Sequence, residues 1–169
     1  VLITLDDFTN RRRYLNCKST FKTLLNFGVI PIVNENDTVA TDEIRYGDND
    51  RLAAQVASIC ECDLLILLSD IDGLYTEPPK KSKNAVHIPF ISEITDEIEI
   101  MAEGPENDFS HGGMKTKIEA AKVTTSIGCN LIITNGQKRN PISNISKSKS
   151  TWFLASQSVK AARKKWILN

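Results

Sequence analysis

Residues 63–70 read "DLLILLSD", five consecutive apolar residues with no polar break, closed at both ends by aspartate. A half-exposed strand would alternate, and an amphipathic helix would show a polar face within this span. The run therefore predicts a strand covered on both faces, the usual state of a parallel sheet flanked by helices. "NLIIT" (130–134) repeats the pattern. Helical patterns precede both runs, "RLAAQVASICE" (51–61) and "GGMKTKIEAAKVTTSIG" (112–128), the second closing on Gly128. Strands alternating with helices predict an α/β fold, a three-layer αβα sandwich on a mostly parallel sheet. The chain has 169 residues, enough for one domain or a large part of one.

The remaining elements follow from local pattern. "VLITL" (1–5) reads as a strand. A helix runs from about residue 9 to Phe27, with Tyr14, Leu15, Phe21, Leu24 and Leu25 as its apolar stripe and Gly28 as its stop. "VIPIV" (29–33) reads as a short buried strand, irregular or at an edge because of Pro31. Residues 34–50 are polar and rich in turn formers, with weak alternation that suits a small hairpin. In the 51–61 helix, Leu52, Val56, Ile59 and Cys60 share one face. Residues 92–104 suit an acidic surface helix, 135–151 a polar loop, "WFLA" a late strand, and the basic end a helix.

The chain is 41% hydrophobic and its formal net charge is zero, so nothing in the totals calls for nucleic acid or a membrane surface. Charge is unevenly spread. Residues 93–108 carry seven acids and no base, and residues 137–169 carry eight bases and no acid. The bases are spaced out without interleaved aromatics, which reads as a solvated face. Cys17, Cys60, Cys62 and Cys129 lack zinc-type spacing, and His87 and His111 lie far from them, so idle thiols in a reducing compartment are expected. No signal peptide or membrane-length apolar run is visible, and a cytoplasmic protein is expected. The chain opens without an initiator Met, which reads as a piece of something longer.

Three constellations carry chemistry. "NENDTVATDEIRYGDND" (34–50) crowds acids and amides, including Asn34, Asp37, Asp48, Asn49 and Asp50, within seventeen residues. Carboxylates this dense repel unless cations sit among them, and a substrate amine or magnesium would serve. The alternative is a solvated loop in which Asp48 or Asn49 caps the next helix. "LLILLSDIDGLY" ends a buried strand in D-x-D-G, as phosphatases of the haloacid-dehalogenase type do. Against that reading, Leu74 stands where Thr or Val is usual, and no acidic pair follows "NLIIT". "HGGMKTK" (111–117) puts two glycines ahead of a helix whose N–H groups suit phosphate. Lys115 and Lys117 in its first turn oppose the helix dipole, which an anionic ligand would offset. A plain surface helix is the alternative. Ligands in open α/β sheets bind beyond the carboxyl ends of strands, here residues 34–37, 69–72 and 135–137, and the helix start at 111–117 falls on the same edge. Together the three constellations supply what phosphoryl transfer needs, chiefly positioning and charge.

"GVIPIVNENDTVATDEIRYGDNDRLAAQVA", "DLLILLSDIDGLYT" and "GGMKTKIEAAK", in this order, resemble the glutamate 5-kinases of the amino-acid-kinase family, and the likeness runs through essentially the whole chain. That resemblance implies transfer of phosphate from Mg2+-ATP to the side-chain carboxylate of L-glutamate, the first step of proline biosynthesis. It implies that Asp37, Asn49 and Asn34 bind glutamate. By the same resemblance Asp50 is expected to organise the catalytic lysines with support from Asp48, and Lys117 to neutralise the transferring phosphoryl group. Ser69, Asp70, Gly73 and Tyr75 form one nucleotide segment; His111, Gly112, Gly113, Met114, Lys115, Thr116 and Lys117 form the other. Residues 1–62 are then the glutamate-binding part and 63–169 the nucleotide-binding part of an incomplete kinase domain, with no confident protein-held metal. A homo-oligomer, dimer or tetramer, is implied at full length. The chain departs from the family at "GLYTEPPKK" and "SKSKSTWF". It lacks the N-terminal part of family members, with its catalytic lysine and glycine-rich loops, and the PUA domain that many carry. A fragment impaired in turnover is expected. The rival readings are an aspartate or N-acetylglutamate kinase and a non-catalytic nucleotide- or glutamate-binding remnant.

Overall fold

The computed structural model describes residues 1–4, 6–38, 49–103 and 113–156. The chain begins with β1 (Leu2–Ile3), a single helical turn α1 (Asp6–Thr9) and α2 (Arg11–Asn26). The expected helix thus starts afresh at Asn10, whose side-chain carbonyl accepts from the N–H groups of Arg12 and Arg13. Phe21 is the buried member of its apolar stripe, while Leu15 and Leu25 are half exposed.

Residues 29–33 depart from expectation. They run extended beside β1, and the strand assigned here is β2 (Asn34–Glu35), parallel to β1. The Val1 ammonium donates to Ile32 O, and the N–H groups of Asn34 and Asn36 donate to Val1 O and Ile3 O. Pro31 has no N–H to add to this ladder. Ile30 and Ile32 are each 86% exposed, so this is not a buried strand. The hairpin expected over 34–50 falls largely on 39–48, outside the described residues, as does the basic end beyond 156.

Two helix–strand units form the centre: α3 (Asn49–Ile59) with β3 (Leu64–Ser69), and α5 (Met114–Ser126) with β7 (Asn130–Asn135). Both helices end in the same way. The residue two past the cap donates back to the third-last carbonyl, Cys62 N to Ala57 O and Cys129 N to Thr124 O. The intervening residue donates to the next carbonyl, Glu61 N to Ser58 O and Gly128 N to Thr125 O. These are Schellman turns, and the residue between has positive φ, Gly128 at 87° and Glu61 at 53°. Each turn sends the chain straight back as a strand along its own helix. β3 and β7 pair in parallel, Leu64 opposite Asn130 through Ser69 opposite Asn135. The helix starts and strand ends therefore share one edge of the sheet, and the turns share the other.

The sheet order is β3-β7-β8-β6, with β8 (Ser150–Phe153) antiparallel to β7 and parallel to β6 (Phe90–Ile91). The strand buried on both faces is β7, where Leu131, Ile132 and Ile133 have no exposed surface. β3, expected in the centre, is at an edge among the described strands, with Leu64 41% and Leu68 48% exposed. Apolar composition demands cover but does not say which neighbour supplies it. Helices α3 and α5 meet through small residues. Ala54 and Ala57 are buried on α3, and Ala120 and Ala121 on α5. Of the predicted face of Leu52, Val56, Ile59 and Cys60, Ile59 is buried and the other three are partly buried. The loop after β3 holds a small hairpin that the polar sequence conceals, β4 (Leu74–Tyr75) against β5 (His87–Ile88). The acidic helix is α4 (Asp96–Glu103).

Candidate functional site

The N-termini of α3 and α5 lie side by side, and two ion pairs among the described residues link them. Lys117 Nζ lies 2.9 Å from Asp50 Oδ2, with side-chain exposures of 7% and 17%. Thr116 Oγ1 donates to the same carboxylate oxygen at 3.2 Å and to Gly113 O at 2.8 Å. Beside this pair, the Arg51 guanidinium donates to Glu119 Oε2 through Nε and Nη2. A lysine in the first turn of a helix opposes the dipole. Here the Asp50 carboxylate supplies the opposite charge and fixes the ammonium beneath the helix start. Gly113, extended at φ −68° and ψ −176°, opens α5 without a side-chain cap. That start presents backbone N–H groups where an anion is favoured.

The strand ends adjoin this pair along the same edge. Ser69 Oγ donates to Asp70 Oδ1 at 3.0 Å, and Asn135 Nδ2 donates to Asp70 O at 3.2 Å. Gly136 N donates to Ser69 O and Gln137 N to Asn135 Oδ1. A Cβ on Gly136 would come within 2.9 Å of Leu68 Cβ, so the two strand exits pass too closely for a side chain.

Beyond them Gly73 takes φ +147°, and a Cβ there would collide with Thr151 Oγ1 and lie 2.8 Å from His87 Nε2. Thr151, fully buried on β8, accepts from Leu74 N at 2.8 Å and donates to Ile88 O at 2.7 Å. It pins the β4–β5 hairpin to the sheet. Tyr75 stands edge-on to His87, with ring centroids 5.1 Å apart, and Lys149 Nζ lies 5.8 Å over its ring. Burial and the hydrogen bond from Tyr75 Oη to Asp72 push the phenol above its ordinary range.

The structure thus brings together Asp50, Thr116, Lys117 and Gly113, and separately Ser69 and Asp70. Gly73 and Tyr75 form a third group. Asn34, Asp37 and Asn49 are exposed, and no described contact joins them to Lys117. Asp48, His111 and Gly112 lie outside the described residues. Thr151, His87 and Lys149 are additions that sequence pattern did not reveal, since their meeting depends on β8 pairing beside β7. A groove lined by Ile91, Glu93, Lys122 and Phe153 sits by the C-terminal half of α5. It is away from the charged helix start and shares none of its residues.

A mixed sheet flanked by helices, with two helix starts at one edge, defines an α/β fold with its candidate site at that edge. The fold matches UMP kinase from Ureaplasma parvum at TM-score 0.58 and 19% identity, over 81% of this chain and 52% of that one. Carbamate kinase from Giardia lamblia, bound to AMP-PNP, matches equally at TM-score 0.58 and 20% identity, over 82% and 49%. Residues 1–135 match the Amino acid kinase family, and the chain belongs to that family. It is 55% identical to the glutamate 5-kinase of Paracoccus denitrificans over 168 residues, 99% of this chain and 45% of that protein. The glutamate 5-kinase of Rhizobium johnstonii is 56% identical over 99% of this chain and 43% of its own length. The chain thus spans under half the length of these curated relatives.

Proposed function

We propose that this chain is the part of a glutamate 5-kinase that carries the acidic substrate loop and the nucleotide edge. The reaction is transfer of the γ-phosphoryl group of ATP to the side-chain carboxylate of L-glutamate. A carboxylate oxygen forms the new O–P bond, the bond to the β-phosphate oxygen breaks, and ADP leaves. The observation that carries this reading is the buried Lys117–Asp50 pair at the uncapped start of α5. High identity to glutamate 5-kinases over nearly the whole chain supports glutamate as the acceptor.

Each group has a role in that chemistry. The backbone N–H groups after Gly113 and the Lys117 ammonium face the phosphates, where charge must be offset as it moves. Asp50 keeps the ammonium in place, and Thr116 holds the carboxylate. Met114 and Lys115 belong to the same helix turn. Ser69, Asp70, Gly73 and Tyr75 line the nucleotide side, with Lys149 stacked on Tyr75. Asp37, an exposed carboxylate, suits the substrate ammonium, with Asn34 and Asn49 as amide partners. Residues 1–62 take the glutamate role and 63–169 the nucleotide role. Magnesium belongs to this reading as a companion of the triphosphate. Among the described residues no group of three or more His, Cys, Asp and Glu side chains is placed to hold a metal ion, so no step is assigned to one. Among those residues no helix is long and apolar enough to cross a membrane. A cytoplasmic homo-oligomer remains part of the proposal.

The test replaces the matching 168 residues of the Paracoccus denitrificans enzyme with this chain and measures ADP release. Glutamate should drive turnover, aspartate and N-acetylglutamate should not, and Lys117→Met should abolish it. A folded chimera that prefers either alternative acceptor, or keeps full activity with Lys117→Met, overturns the reading. The chain alone should turn over far more slowly than the chimera.

A further inference from the structure

The nucleotide side of the site is short of positive charge. Lys117 is matched by Asp50. Asp70 and Asp72 follow directly on β3, and their carboxylates accept from hydroxyls, Ser69 Oγ and Tyr75 Oη. Neither has a cationic partner among the described residues. A triphosphate brought to this edge adds further negative charge, which a cation placed beforehand would offset. The connection from β7 to β8 brings cations there by topology. Residues 136–149 carry Lys138, Arg139, Lys147 and Lys149 and no acid. Because β8 runs antiparallel to β7, with Ser150 opposite Thr134, the residue before β8 lies at the edge where β3 and β7 end. That residue is Lys149. Its carbonyl accepts from Thr134 Oγ1 at 3.4 Å, which ties its backbone to the end of β7.

Lys149 differs from the other three bases of this connection. Lys138, Arg139 and Lys147 are exposed, and their side chains meet no partner among the described residues. The Lys149 ammonium stands 5.8 Å over the Tyr75 ring centroid, within cation–π range. The ring beneath it is held on two sides. Tyr75 Oη donates to Asp72 Oδ1 at 2.9 Å, and the His87 ring meets it at 64° with centroids 5.1 Å apart. His87 is backed in turn by the buried Thr151. An aromatic face restrains a cation without cancelling its charge, unlike the carboxylate that holds Lys117. It also leaves the ammonium hydrogens free to donate, and no acceptor among the described residues takes them.

We propose, on the kinase reading above, that Lys149 is a nucleotide-binding residue whose ammonium, held on Tyr75, donates to phosphate oxygens of bound ATP. Its part is affinity rather than chemistry. Lys117 already occupies the helix start that faces the transferring group, and Lys149 approaches from the opposite side, across the ends of β3 and β7. A contact made equally before and during transfer lowers the KM for ATP and leaves kcat alone. Lys149 is exposed, so its contribution should shrink as salt rises.

The test uses the chimera described above with Lys149→Met, Lys149→Arg and Lys147→Met, each checked for unchanged thermal unfolding. Lys149→Met should raise the KM for ATP about tenfold, the scale of one lost charge-assisted hydrogen bond, with kcat and the KM for glutamate within about twofold. Lys149→Arg should keep the original KM, because a guanidinium also stacks on an aromatic ring and binds phosphate. Lys147→Met, on the same connection but over no ring, should shift the KM by less than about twofold. Equilibrium dialysis should show the Lys149→Met loss for ATP and ADP and none for adenosine. An unchanged KM for ATP in Lys149→Met, an equal loss for adenosine, an equal rise in Lys147→Met, or no rescue by arginine overturns the proposal. So does a folded chimera that binds no ATP. Dialysis needs no acceptor, so a chimera that rejects glutamate ends the kinase reading and leaves this result standing.

Discussion

Removing the charge at Asp50 should unfold this chain more readily than any ordinary surface change. The Lys117 side chain is 7% exposed and its ammonium lies 2.9 Å from the carboxylate oxygen. At an effective dielectric of about 20 the attraction is about 6 kcal/mol before desolvation is set against it. Taking away one partner of such a pair costs about 3–5 kcal/mol, because the remaining charge stays buried. Asp50→Asn keeps volume and an acceptor for Thr116, so it belongs near the low end. Lys117→Met fills the same space without charge and should cost a similar amount. The double variant leaves neither charge behind and should cost well under the sum, with a coupling of at least about 1.5 kcal/mol. Urea unfolding of the four proteins reads this directly, and the coupling should persist in high salt because the pair is shielded. Strictly additive singles, or singles below about 1 kcal/mol, would refute the reasoning that this is a buried, coupled pair.

Two glycines with positive φ should behave differently. Gly28 (φ 72°) has open space around it, so Gly28→Ala should cost about 1 kcal/mol through backbone strain alone. Gly73→Ala adds collision with Thr151 and His87, and thermal unfolding should show a loss larger by about 1–3 kcal/mol. Thr151→Val removes the hydroxyl that serves both Leu74 N and Ile88 O, and should cost about 1–3 kcal/mol. Thr151→Ser should restore most of it; a serine variant as unstable as the valine one would put the effect on packing instead.

Much of the fold was legible because its patterns are local. The breakers Gly28 and Gly128 set helix ends where helices do end, both with positive φ. Lys117 drew notice as a cation placed against a helix dipole, and the structure supplies Asp50 as its partner, sixty-seven positions away. Other features were hidden. The run 29–33 has strand composition, yet Ile30 and Ile32 stay exposed, because apolarity does not choose a neighbour. The β4–β5 hairpin was invisible within a loop of Pro, Lys and Ser, since what holds it is Thr151 from a distant strand.

By itself the sequence determined the alternation of helix and strand, the helix stops and the residue types at the phosphate-suited helix start. Those depend on backbone preference and on which side chains tolerate water, both readable within a few residues. Tertiary structure alone decided which strand became central and that Asp50 would meet Lys117. Each of these turns on the packing of one helix–strand unit against another, and the close approach of alanine faces on α3 and α5 sets it.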